Sequence, residues 1–209
     1  MASRNVHAVL FDLLMAVMNS LAVWTSAAGG ERRGLAWRDA VTRRMTGAPA
    51  YVPYEELVSD AATELGLPGE AVSTLLERWQ EMDPWPDSAA VARLDVPYAF
   101  VTNCSGRLAR IAADRSRLAP RFVLAAEEAG SYKPDPRIYH EACRRLGSSP
   151  PSTLFVAGSP YDAEGAHAAG LEAVLVARRL DAGDRFAGTR VVASLAEALR
   201  DVDEAASRP

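Results

Sequence analysis

VLFDLLMAVMNS, from Val9 to Ser20, is the stretch on which the interpretation of the chain turns. A short apolar run follows the polar Arg4 and Asn5, which suits a buried parallel strand from about His7 to Phe11. Asp12 ends that run. A carboxylate at the carboxyl end of a buried strand sits where open α/β sheets place their ligands, and there it can serve as a nucleophile. Aspartate also caps turns through its own side chain, and these twelve residues alone leave both roles open.

Downstream, a helix is expected from Ser20 to Ala28, capped by Ser20 or Asn19 and stopped by Gly29 and Gly30, with Leu21, Trp24, Ala27 and Ala28 as a core-facing stripe. From Leu35 to Leu94 the chain reads as amphipathic helices, LAWRDAVTRRM, YEELVSDAATEL and EAVSTLLERWQEM, with no convincing strand. Alternation then returns. Strands are expected at Tyr98–Thr102, Phe122–Ala125, Leu154–Ala157, Ala173–Val176 and near Val191, with helices between them, one starting at Pro136. The pattern implies a doubly wound, mainly parallel α/β sheet from residues 1–19 and 95–209, with an all-helical module inserted at 20–94.

Composition narrows the function classes. The 209 residues are 49% hydrophobic and 24% charged, ample for a globular core, and the net charge of −4 argues against a basic nucleic-acid-binding surface. No apolar run approaches the roughly 18–20 residues of a membrane span. Arg4 and the interrupting Asp12 make a signal peptide unexpected. Cys104 and Cys143 form neither a disulfide framework nor a metal-ligand spacing, so a reducing cytoplasm is the expected setting. His140 and His167 have no companion at ligand spacing and are read as surface or packing residues. Trp79 and Trp85 flank the end of the helical insertion, as hinge packing or as pocket wall.

Three later stretches carry chemistry. FVTNCS ends a strand in Thr102 and Asn103, groups able to hydrogen-bond a substrate oxyanion, although Thr-Asn is also an ordinary turn entry. AEEAGSYKPDPRIYHEA holds Lys133, a cation that beside Asp12 would offset charge in a transition state. FVAGSPYDAEGAHAAG reads as a strand, a loop with Asp162 and a helix.

Taken together, these stretches resemble the haloacid dehalogenase superfamily, which opens with an aspartate nucleophile ending its first strand and carries a helical cap that closes over it. The resemblance implies that fold, with Asp12 as nucleophile, Lys133 as charge stabiliser and the cap as the seat of substrate choice. The departures are specific. The superfamily's Asp-x-(Asp or Tyr)-Gly-Thr reads Asp12, Leu13, Leu14, Met15, Ala16, and its phosphatases' Gly-Asp-Ser-x-x-Asp reads Ala157, Gly158, Ser159, Pro160, Tyr161, Asp162. Leu14 cannot exchange a proton with a leaving alkoxide, a contribution of about 100- to 10,000-fold, and Gly158 removes a carboxylate that a magnesium ion would need.

Within the superfamily, the chain looks most like the L-2-haloacid dehalogenases, whose halide leaves without a proton. Trp37-Arg38 resembles their cap Trp-Arg, whose arginine contacts the substrate carboxylate or departing halide, and Lys133 to Tyr139 matches their Lys-Pro-Asp-x-x-x-Tyr. Their tyrosine, threonine, serine and asparagine are replaced here by Leu14, Ala16, Ala157 and Ser159. The expectation is a hydrolase working through an Asp12 ester on a small, carboxylate-bearing substrate. Lys133 and Asp162 join Asp12 in catalysis, and Arg38, Thr102, Asn103, Tyr139 and Ser159 bind substrate. No cofactor is expected, magnesium is disfavoured, and the reading allows a homodimer. Two alternatives accompany it: a fold that has kept binding but lost hydrolysis, and a weak magnesium-dependent phosphatase.

Overall fold

The computed structural model describes residues 6–178 and 188–206. β1 is Ala8–Asp12, and all five of its residues are buried, as an uninterrupted apolar run covered on both faces must be. A single turn of π-helix, Leu13–Val17, follows directly. Four helices come next, α1 (Ser20–Ala27), α2 (Glu31–Gly47), α3 (Tyr54–Glu64) and α4 (Ala71–Arg78), and then short 3-10 turns at Trp79–Glu81 and Pro86–Arg93. The alternating half runs β2 (Tyr98–Thr102), α5 (Gly106–Ser116), β3 (Val123–Ala125), α6 (Ala126–Ala129), α7 (Pro136–Leu146), β4 (Thr153–Ala157), α8 (Pro160–Ala168), β5 (Glu172–Val176), β6 (Arg190–Val192) and α9 (Leu195–Ala206).

The six strands form one sheet in the order β3-β2-β1-β4-β5-β6, and all the strand pairs are parallel. The chain builds outward from β1 through β2 to β3, then returns to the other side of β1 for β4 to β6. That reversal opens a crevice at the carboxyl ends of β1 and β4, the usual place for a ligand in such sheets. Register puts Asp12 opposite Val101 of β2 and Phe11 opposite Val156 of β4, so the residues that follow β4 meet Asp12 across the crevice.

Local chemistry fixes the elements around it. Ser105 caps α5 by accepting from the Leu108 N–H, and Asp135 caps α7 ahead of Pro136, whose missing N–H costs nothing at the first helical position. Cys104 and Cys143 are free and buried. Among the described residues, no helix is long and apolar enough to cross a membrane.

The helical insertion packs on its tryptophans. Trp37 and Trp79 are fully buried, the Trp24 ring meets Trp37 edge-on at 4.9 Å, and the Trp37 indole donates to the Val58 carbonyl. Gly34 allows α2 to lie against α1, since a Cβ there would come within 2.6 Å of the Thr25 Cα. Arg38 lies one helical turn beyond Gly34 and is carried to the crevice by that close approach. The chain enters and leaves the insertion through one short pairing, with Met18 bridging Pro84, Asn19 N–H donating to Asp83 and Trp85 N–H donating to Val17. Pro86–Arg93, assigned to the cap by sequence, instead packs against α9, where the Asp87 carboxylate accepts from the Leu195 N–H. The α-helices of the insertion and the turn after them reach Glu81, and the chain pairs with the entering strand at Asp83–Trp85.

Candidate active site

Asp12 is 5% exposed and both of its oxygens are engaged. Oδ2 accepts from the backbone N–H groups of Met15 at 2.9 Å and Ala16 at 3.3 Å, because the π-turn folds those amides back over the carboxylate. Oδ1 receives the Lys133 ammonium at 2.7 Å. Asp12 thus caps a turn and joins a charged cluster at once.

Lys133 is fully buried and its Nζ stands between two carboxylates, 2.7 Å from Asp12 and 3.2 Å from Asp162 Oδ2. Burial works to lower its pKa, but the two carboxylates outweigh it and hold the ammonium above the ordinary lysine range. Asp162 responds in the opposite sense. Its burial, only partly offset by Lys133 and reinforced by the charge of Asp12, raises the carboxyl to about 7. One of its oxygens, Oδ1, is buried without a hydrogen-bond partner.

Above the cluster lies a cavity of about 30 Å³, room for one or two water molecules as the insertion now sits. Its walls are Leu14, Met15, Trp24, Val41, Met45, Tyr54 and Tyr161, with Arg38, Ser159 and Asn103 among the polar groups and Asp12 at its floor. Arg38 reaches it from α2 and donates to Ser159 Oγ at 3.3 Å. The phenols of Tyr54 and Tyr161 are held well above the usual phenol range, chiefly by burial, and remain neutral donors.

Three residues expected to bind substrate are engaged elsewhere. The Thr102 hydroxyl is fully buried and paired with Cys104 Sγ at 3.5 Å, away from the cavity lining. Burial pushes the Cys104 thiol up to about 12, which leaves it inert. Tyr139 lies beneath α8, its ring 5.1 Å from Phe155 and its hydroxyl donating to the Asp162 carbonyl at 3.0 Å, so it supports the Asp162 backbone. Asn103 does border the cavity, but its amide grips the Lys133 backbone at both ends, accepting from N–H at 2.8 Å and donating to C=O at 3.0 Å. Its position fixes the lysine.

A model of the haloacid dehalogenase-like hydrolases matches residues 7–170. The chain belongs to this family. The (S)-2-haloacid dehalogenase 4A of Burkholderia cepacia is 31% identical over 112 residues, 50% of this chain and 48% of that enzyme, so the chain spans about half the length of that relative. The (S)-2-haloacid dehalogenase of Pseudomonas putida is 30% identical over 161 residues, 70% of this chain and 71% of the relative. Among solved structures, the L-2-haloacid dehalogenase from Xanthobacter autotrophicus with chloropropionic acid covalently bound superposes with a TM-score of 0.80 at 20% identity, covering 95% of this chain and 98% of that one.

Many haloacid dehalogenase-like hydrolases hold magnesium beside the nucleophile, and the residues here do not fit it. Position 158, where a phosphatase carries its extra carboxylate, is glycine, and a Cβ built there falls 2.4 Å from Met15 Cβ and 2.6 Å from Asp12 Oδ2. No side chain of any kind has room. The Lys133 ammonium already bridges Asp12 and Asp162, the two carboxylates a dication would draw on. Among the described residues, no group of three or more His, Cys, Asp or Glu is arranged to hold a metal.

Trp24, Tyr54 and Tyr161 are pocket residues that the sequence reading does not assign. Tyr161 carries a signal, since it lies between Ser159 and Asp162 in a stretch already singled out. Tyr54 carries none, because only the packing of α3 brings it to the crevice.

Proposed function

We propose that this protein is a metal-independent hydrolase of small 2-halocarboxylates, working through an ester on Asp12. The observation that carries the reading is the buried Lys133 ammonium held between Asp12 and Asp162 under a cavity that Arg38 enters from the helical cap. In the first step an Asp12 oxygen attacks the carbon bearing halogen. The C–O bond forms, the C–X bond breaks, and halide departs with the bonding pair. Lys133 orients the attacking carboxylate through its 2.7 Å contact, and Arg38 takes the substrate carboxylate in a charge-assisted pair.

In the second step water attacks Cγ of the ester and gives its proton to Asp162, whose raised pKa and unpartnered Oδ1 suit it to hold and activate that water. The developing oxyanion forms on Oδ2, where the Met15 and Ala16 N–H groups already converge. Collapse expels the 2-hydroxy acid oxygen, which takes the proton back from Asp162 and leaves Asp12 as a carboxylic acid with one oxygen from water; release of its remaining proton to solvent restores the carboxylate. Substrate entry requires the cap to swing outward, since the closed cavity is too small for a haloacid. The Xanthobacter enzyme, of the same fold and with chloropropionic acid covalently bound, supports a covalent route for such substrates.

The test is multiple turnover of (S)-2-chloropropionate and 2-bromopropionate in oxygen-18 water, followed by mass spectrometry of the Asp12 peptide. Label in the Asp12 carboxylate is expected. Turnover that leaves the peptide unlabelled, or that survives in Asp12→Ala, refutes the mechanism. A second reading, binding without hydrolysis, is favoured by Leu14, Met15 and Ala16, which bring no polar side chain to the mouth of the site. Complete absence of turnover with measurable haloacid binding selects it.

A further inference from the structure

The π-turn that cradles Asp12 is held from outside by two side chains. Within the turn, the Leu13 carbonyl is satisfied by the Met18 N–H at 2.9 Å. The Met15 carbonyl instead accepts from the Trp85 indole N–H at 2.9 Å, and the Ala16 carbonyl accepts from Arg178 Nη2 at 2.6 Å. Arg178 is nearly buried, lies 5.0 Å over the Trp85 ring and pairs with Asp87. Asp87 also accepts from the Leu195 N–H. Trp85 is thus clamped on one face by a cation, and its backbone N–H donates to the Val17 carbonyl in the crossing between cap and sheet.

The Met15 C=O and the Ala16 N–H belong to one planar trans peptide and point in opposite directions. Trp85 grips one end of that unit while Asp12 Oδ2 lies at the other, 3.3 Å from the Ala16 nitrogen. A donor on the carbonyl both orients the plane and polarises the N–H at its far end.

We propose that Trp85 is a positioning residue for ester hydrolysis, fixing the Met15–Ala16 peptide so that the Ala16 N–H stays aimed at the oxyanion that forms on Asp12. Alkylation does not build negative charge on Oδ2, whereas attack of water on the ester does. The effect of Trp85 therefore falls on the second step. The step assignment rests on the ester mechanism given above, but the orientation of the Ala16 amide does not.

Trp85→Phe removes the N–H and keeps a ring under Arg178, and Trp79→Phe removes a more deeply buried indole donor, the one to the Leu108 carbonyl. Rapid-quench measurement with 2-bromopropionate, with intact-protein mass spectrometry, separates halide release from ester decay. In Trp85→Phe, ester decay is expected to slow roughly tenfold, as for loss of one hydrogen bond, with alkylation unchanged and ester-bound protein accumulating. Trp79→Phe is expected to leave the ratio of the two rates at the wild-type value. Equal slowing of both steps in Trp85→Phe, or no change in either, overturns the proposal. Where the wild-type protein forms no ester, the mechanism fails, and amide hydrogen exchange decides the rest. The Ala16 amide must then exchange faster in Trp85→Phe than in wild type, and unchanged exchange overturns the proposal on its own.

Discussion

Replacing Lys133 by methionine keeps the volume of a fully buried side chain and removes the one cation that two buried carboxylates share. Breaking a buried ion pair from one side typically costs about 3–5 kcal/mol, because the remaining charge stays desolvated without its partner. Against a total stability of roughly 5–15 kcal/mol this is a large loss. Its pH dependence is the sharper signature. Asp162 already has a raised pKa with Lys133 present, so its carboxyl takes up a proton readily once the cation is gone. Because losing the cation raises the Asp162 carboxyl further above about 7, protonation relieves part of the penalty through neutrality, and that relief fades only as pH climbs beyond it. Denaturant unfolding of wild type and Lys133→Met from about pH 6 to about pH 9 should therefore show a difference that is smallest at the acid end and grows above neutrality. A difference that does not grow with pH, or one below about 1 kcal/mol at about pH 9, refutes the placement of Lys133 as the shared counter-ion.

Four further outcomes follow from the same geometry. The rate of ester decay should rise with pH as Asp162 ionises, with a midpoint below the free protein's value of about 7 because the Asp12 charge that helps raise it is lost in the ester, and Asp162→Asn should abolish that limb in a pH–rate profile. For the fold, Asp162 acts the other way: the native state holds its proton up to about 7 while the unfolded chain releases it near the ordinary carboxylate value. Stability therefore falls as pH rises across that window, and melting curves of Asp162→Asn should lack this component. Gly158→Ala should cost about 1–3 kcal/mol in chemical denaturation through collision with Met15 and Asp12, and Gly158→Asp should gain no magnesium-dependent phosphatase activity. Arg38→Lys, which keeps the charge but loses the planar fork, should raise KM for a 2-haloacid about tenfold with a smaller change in kcat; equal KM values would remove Arg38 from substrate binding.

Much of this architecture was legible because parallel sheets announce themselves. Buried strands at Val9, Ala99 and Leu154 read as apolar runs, and the residues that end them fall at the same edge of the sheet. Asp12, Lys133 and Asp162 could be brought together on paper for that reason, although 121 residues separate the first two. Side-chain partners were less accessible. Thr102 and Tyr139 sit in the right stretches, but a thiol two residues on takes one hydroxyl and a carbonyl of α8 takes the other, which no motif spacing reveals. The π-turn at Leu13–Val17 was invisible, since an apolar run of five looks alike in strand, helix or turn. Gly158 could be read as a missing carboxylate but not as missing space. The role of Trp85 stayed undecided because it depends on a carbonyl 70 residues away.

Gly158 also constrains what this lineage can become. A carboxylate cannot be introduced there by one substitution, because the space is filled by the side chain and peptide of Met15 and Ala16, the same atoms that hold the nucleophile. Making room would mean trimming Met15 and shifting the turn first, so a route to a carboxylate at this position passes through a protein with a loosened Asp12. The tight packing acts as a lock: whatever side chain is tried at position 158 must first displace the turn that holds the nucleophile.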